Sequence, residues 1–150
     1  AFLGDDYPAF LPVHTKPVKV LIEESVHYSL TDLEAYDEWL WTAPVGDNHV
    51  RLGSQYRMFA VAYFHQQHCI RLIRAALVEP FNSSTVGHHH HCFNYIRQWI
   101  LCSADITLER GDFSLRNFTQ DRIGSTHTCQ DWEPVYNMLE DNWYRWMEFR

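Results

Sequence analysis

The chain has 150 residues, enough for one domain with a substantial core, and a formal net charge of −7. That charge argues against a nucleic-acid binder, because phosphate contacts need clustered Lys and Arg. No apolar run reaches the roughly eighteen residues of a membrane-spanning helix.

Taken in chain order, residues 1–17 contain Pro8, Pro12 and Pro17, which predict an extended arm. Val18, Val20 and Ile22 alternate with Lys19, Leu21 and Glu23, the pattern of a short strand. "SLTDLEAYDEWLW" predicts a short helix capped by Ser29 or Thr31, and Pro44 and Gly46 end it. A turn at Gly53–Ser54 leads into a long helix from about Gln55. "FNSSTVG", after Pro80, is a loop. A second long helix is expected from His88 to Glu109, ended by "RGDF". Residues 112–130 look irregular, and a last helix runs from Asp131 to the end. The expected fold is mainly α: a small helical bundle of one domain, residues 1–150, with an extended arm and a short strand.

The two long helices carry one pattern twice. "YFHQQHCIRL" holds His65, His68 and Cys69, and "VGHHHHCFNY" holds His88, His91 and Cys92, both in the form H-x-x-H-C. Residues three and four apart share a helix face. One stripe therefore takes His65, His68, Cys69, Leu72 and Ala76, and the other takes His88, His91, Cys92, Tyr95, Trp99 and Cys102. His89 and His90 fall off it. Histidines on a core-facing stripe need partners, since buried unpaired polar groups are costly. A metal satisfies all of them at once, and paired helices with ligands at i, i+3 are a known way to build such a site. The bland reading is a set of core histidines bonded to backbone and carboxylates. Residue 66 is Gln where a hydrolytic zinc helix would place Glu, so copper redox chemistry is the better expectation.

Asn82-Ser83-Ser84 and Asn117-Phe118-Thr119 are N-glycosylation sequons, and the cysteine count of 4 is even. Together they indicate the secretory lumen or the cell exterior. The chain's abrupt start is that expected of a processed or truncated ectodomain. Cys92 and Cys102 are about 15 Å apart on one helix, whereas a disulfide needs Cα atoms within about 7 Å. Two connectivities remain open: Cys69–Cys92 with Cys102–Cys129, or Cys69–Cys102 with Cys92–Cys129. The first is preferred because it joins the two motifs. Buried free thiols are the alternative to both.

The stretches "VRLGSQYRMFAVAYFHQQHCIRLIR", "HHHHCFNYIRQWILCSADITLE" and "STHTCQDWEPVYNMLEDN" resemble the UstYa-like family of fungal secondary metabolism, whose hallmark is the doubled H-x-x-H-C. "EESVHYSLTDLEAYDEWLW" fits the family's entry region. The resemblance implies an oxidative tailoring enzyme, dependent on copper, that cyclises ribosomal peptides or oxidises small metabolites. It implies a lumenal catalytic domain, with any membrane anchor upstream of Ala1. Cys102, Asp105 and Thr107 match the segment after the second motif, and His127 and Cys129 match a C-terminal H-x-C element. Gln67 replaces a residue that is usually apolar.

The expected site is thus His65, His68, His88 and His91 around one or two coppers, with His127 as a fifth nitrogen and a peptide or small molecule as substrate. Tyr63 or Tyr95 would serve proton or electron transfer, or simply pack. The competing reading is a non-enzymatic metal-binding module that self-associates into a homo-oligomer through Trp143, Tyr144 and Trp146.

Overall fold

The computed structural model describes residues 2–111, 114–117 and 119–150. Its elements run β1 (Pro17–Glu23), α1 (Ala35–Leu40), β2 (His49–Leu52), β3 (Arg57–Ala60), α2 (Ala62–Val78), α3 (Val86–Ser103), β4 (Ile123–Gln130) and α4 (Glu133–Phe149). This is a mixed α/β fold, which corrects the mainly α bundle expected from the sequence. Two small antiparallel sheets account for the difference, β1 with β4 and β2 with β3.

β3, the second strand of the β2–β3 hairpin, occupies residues assigned above to the start of a helix. His49 pairs with Ala60, and Leu52 pairs with Arg57. The chain reverses between them through Gly53 at φ +76° and Tyr56 at φ 51°, left-handed conformations that a helix cannot contain. Only beyond Ala60 does α2 begin. β4 is the other strand the sequence concealed, inside the stretch expected to be irregular. Its register sets Val18 opposite Cys129 and Val20 opposite His127. Val18, Val20, Ser125, His127 and Cys129 form the half-buried face of this sheet.

The first predicted helix shrinks to α1, whose N-cap Glu34 offers no side-chain cap. Ser29 does accept a backbone bond, from Asp32 at 3.0 Å, but this closes the turn before the helix. α3 stops at Ser103, where Ala104 turns left-handed at φ 40°. Asp112 and Phe113 of the predicted "RGDF" break lie outside the described residues, as does Phe118 of the second sequon.

The core is Val50 of β2, Phe64 of α2 and Leu139 of α4, packed on by Leu11, Leu52, Phe59, Val61, Tyr63, Val135 and Tyr136. The N-terminal arm lies over β3, with Tyr7 5.0 Å from the Phe59 ring and Arg57 donating to the Gly4 carbonyl at 2.6 Å. α4 is tied to β2 by Asn142, whose carboxamide accepts from the Arg51 N–H and donates to the Arg51 carbonyl, both at 2.7 Å. That pairing satisfies both backbone groups of Arg51 where β2 has no strand neighbour. Gly46, at φ +86°, lets the chain pass so close to Trp143 that a Cβ there would run into the indole ring.

The aromatics expected to mediate self-association are mostly occupied. Arg51 lies 3.6 Å over Trp146 and 5.5 Å from Trp143, and both indoles are half-buried, leaving Tyr144 exposed. Among the described residues no helix is long and apolar enough to cross a membrane.

Candidate metal centre

α2 and α3 pack on each other as an antiparallel pair, joined by the loop of residues 79–85. Phe64 anchors α2 in the core, and that rotational setting turns the adjacent His65, with His68 one turn on, toward α3. Cys69 and Cys92, both 0% exposed, meet in the seam between the helices. Burial, and then the neighbouring Cys92 thiol, pushes the Cys69 thiol up to about 12. A thiol so shifted stays protonated at neutral pH and is a poor metal ligand in its reduced form.

The four motif histidines come together as the doubled spacing predicts. Ring centroids are 6.2 Å apart for His65–His68, 5.7 Å for His68–His88, 6.3 Å for His88–His91 and 5.4 Å for His65–His91. The two shorter separations are the cross-helix ones. Tyr95, one turn after His91, lies against His65 at 4.2 Å and His91 at 5.9 Å.

The rings are not in the core, however. His65 and His68 are half-buried, while His88 and His91 are exposed. The heptad stripe identified a shared face but not what covers it. The exposed pair belongs to α3, so the histidine face opens at that helix. His90 is exposed and His89 half-buried, and no described ring contact joins either to the four.

Burial is the main cause that lowers the pKa of both His65 and His68, and the other histidines of the group add to it by charge repulsion. Asp47, held by Arg71 at 2.8 Å, partly offsets the shift at His68. His65 and His68 therefore favour the neutral imidazole, the form that binds metal. Because these pKa values are depressed in the fold, stability is fully present above the ordinary value of 6.5 and declines as pH falls below it. A melting series on metal-free protein should show a lower transition temperature at pH 5 than at pH 7.5. In His65→Gln/His68→Gln that dependence should be reduced; an unchanged slope would assign it to other groups.

The residues fit a metal in one specific respect. His65 and His91 approach through their Nε2 atoms at 3.5 Å. With bonds of about 2.0–2.1 Å, two imidazole nitrogens on one tetrahedral ion lie roughly 3.3–3.4 Å apart. This pair stands near chelating separation, with His68 and His88 facing each other beside it. Among the described residues no group of three or more His, Cys, Asp or Glu side chains is gathered closely enough to hold an ion as placed.

His127 is placed elsewhere. It sits on β4, and no described ring contact joins it to the four histidines. Its Nδ1 lies 2.5 Å from Asp105 Oδ2, and its Nε2 is buried with no hydrogen-bond partner among the described residues. Asp105 accepts from the Thr107 N–H at 2.8 Å. The Thr107 bonds, then His127, hold the Asp105 carboxyl down at about 2. A carboxylate on Nδ1 fixes the orientation of the ring. Asp105 and His127 are 22 positions apart, so no local pattern in the sequence announces the pair. Cys102 is exposed and Cys129 half-buried.

The family model described as "Mycotoxin biosynthesis protein UstYa" matches residues 44–142. The chain belongs to the UstYa family. Both H-x-x-H-C segments, Asp105 and His127 fall inside that match, whereas β1 lies before it. The chain is 30% identical over 100 residues to the UstYa family oxidase phomYe of Diaporthe leptostromiformis, covering 60% of this chain and 34% of the relative. It is 35% identical over 86 residues to oxidase ustYa of Aspergillus flavus, covering 55% and 40%. A third relative, the Diaporthe leptostromiformis UstYa family oxidase phomYb, is 35% identical over 80 residues, covering 51% and 32%. The chain thus spans about a third to two fifths of the length of these curated relatives. No solved structure matches it.

Proposed function

We propose that this UstYa-family chain is a copper-dependent oxidative tailoring enzyme of secondary metabolism, acting on a peptide or small metabolite by oxidative cyclisation, hydroxylation or related C–H oxidation. The observation that carries the reading is the convergence of His65, His68, His88 and His91, with one Nε2 pair at 3.5 Å. Relatives named as oxidases support the reaction class. An all-imidazole set suits copper, with one or two ions held by the cross-helix pairs His65/His91 and His68/His88. Copper, when bound, supplies the one-electron redox chemistry with dioxygen that the side chains lack.

The chain's own part is to hold and orient. α2 and α3 fix the imidazoles on two packed helices rather than on loops, and burial keeps His65 and His68 neutral. The exposed His88–His91 edge leaves a side on which substrate reaches the site, which supports catalysis over sealed metal storage. Metal analysis with electron paramagnetic resonance on untagged protein tests the reading. Copper in at least equimolar amount with nitrogen hyperfine structure is expected. Metal-free protein that takes up no copper on titration would overturn it.

We place the protein in the secretory lumen or outside the cell. Asn82 and Asn117 are exposed in loops, and the hydroxyls of Ser84 and Thr119 donate to their carboxamides at 2.8 and 2.6 Å. In that compartment Cys69–Cys92 and Cys102–Cys129 are the proposed disulfides. The buried thiol contact supports the first, and the Asp105–His127 bond, which ties the end of α3 to β4, supports the second. Non-reducing peptide mapping of secreted protein should recover both linked pairs, and reduction should cost about 2–4 kcal/mol per bond. Recovery of Cys69 linked to Cys102 would exclude this pairing.

A further inference from the structure

We infer that Tyr95 is a positioning residue of the metal site, an aromatic wall that holds the His65 ring so that its Nε2 faces that of His91. The inference rests on the four-histidine reading and extends it to a residue outside the doubled motif. Tyr95 comes four residues after His91 and so shares its face of α3. Its ring lies 4.2 Å from the His65 ring at 38° and 5.9 Å from the His91 ring at 27°. The 4.2 Å approach is closer than any between two of the histidines themselves. Tyr95 is in turn backed by Trp99, 6.2 Å away and edge-on at 66°.

His65 needs such support because no carboxylate or carbonyl among the described residues holds its ring. Among the described hydrogen bonds its ring makes one, the Nε2 contact with His91, and its Nδ1 has none. Ligating histidines are ordinarily held by a carboxylate or carbonyl on the second nitrogen. Here an aromatic face takes that place by packing on the ring. The phenol hydroxyl has no hydrogen-bond partner among the described residues, so the ring is the working part. Phenylalanine should then substitute for tyrosine, and an aliphatic side chain should not.

The test measures metal-free and copper-loaded protein separately. In metal-free protein the His65 ring protons should be shifted by the Tyr95 ring current. The shift should persist in Tyr95→Phe and vanish in Tyr95→Leu. In chelator competition, Tyr95→Phe should keep copper affinity within about twofold, while Tyr95→Leu loses roughly 10–100-fold, the usual cost of removing a partner that orients a ligand. The nitrogen hyperfine pattern should broaden only in Tyr95→Leu. If that variant fails to fold by circular dichroism, Tyr95→Met replaces it with a side chain that fills the space without a flat face. Affinity and hyperfine structure unchanged in the folded aliphatic variant would overturn the inference, as would a His65 ring with no ring-current shift. Failure of the parent protein to bind copper would instead overturn the four-histidine reading, and the ring-current measurement would still decide whether Tyr95 orients His65.

Discussion

His65→Ala or His91→Ala should remove most copper binding, while His89→Ala and His90→Ala should leave affinity within about twofold of the parent. Each of the first two takes away one half of the His65–His91 nitrogen pair, which stands near chelating separation at 3.5 Å. Loss of a direct ligand should exceed the roughly 10–100-fold that an outer partner contributes. His68→Ala and His88→Ala should weaken binding too, and in a two-copper site they should halve the stoichiometry. His89 and His90 provide the control inside the same histidine run, because no described ring contact joins either to the group. Calorimetric titration of untagged protein reads all six variants. Equal losses at positions 88 to 91 would mean that the run binds copper as a flexible tract and that the helix-face argument is wrong.

Phe64→Ala should be the most damaging single truncation for the fold. Phe64 is 1% exposed, and its ring packs edge-on to Tyr136 at 4.7 Å and to Tyr63 at 4.8 Å. Removing a ring from such a position costs about 3–5 kcal/mol, through lost burial and the cavity left behind. For a chain of this size that lowers the melting temperature by on the order of 10 °C. Phe93→Ala, on the exposed side of α3, should change stability by no more than about 0.5 kcal/mol. The contrast is read in one denaturation experiment, and a Phe64→Ala loss no larger than that of Phe93→Ala would show that the core lies elsewhere. Phe64 also sets the rotation of α2, so the truncated variant should bind copper more weakly although no ligand has been touched.

The candidate site was more legible than the fold because its geometry is local. His65 and His68, like His88 and His91, lie on single helices, and the 3.6-residue period brings each pair to one face without knowledge of anything distant. The same period is silent about coverage, and for that reason the open side of the histidine face was not foreseen. β4 was hidden for a different reason. Its half-buried positions are Ser125, His127 and Cys129, none of them strongly apolar, and its partner β1 lies more than a hundred residues away. The β2–β3 hairpin was hidden by its brevity, two strands of 4 residues each, too short to show alternation. Asp105 and His127 found each other through tertiary structure alone, since the loop after α3 and the strand β4 meet only once the chain is folded.

The pairing of β1 with β4 reaches outside the family match. Residues 44–142 contain β4, while its hydrogen-bonding neighbour, Pro17–Glu23, comes earlier in the chain. A shortened protein cut to the matched span would present β4 as a strand with both edges bare. Unpaired edges recruit other chains, so such a fragment should aggregate or pair with its own copies. The span matched by the family model and the strand pairing of the fold therefore differ by one strand. Any attempt to express or transplant this domain has to carry the N-terminal segment along with it.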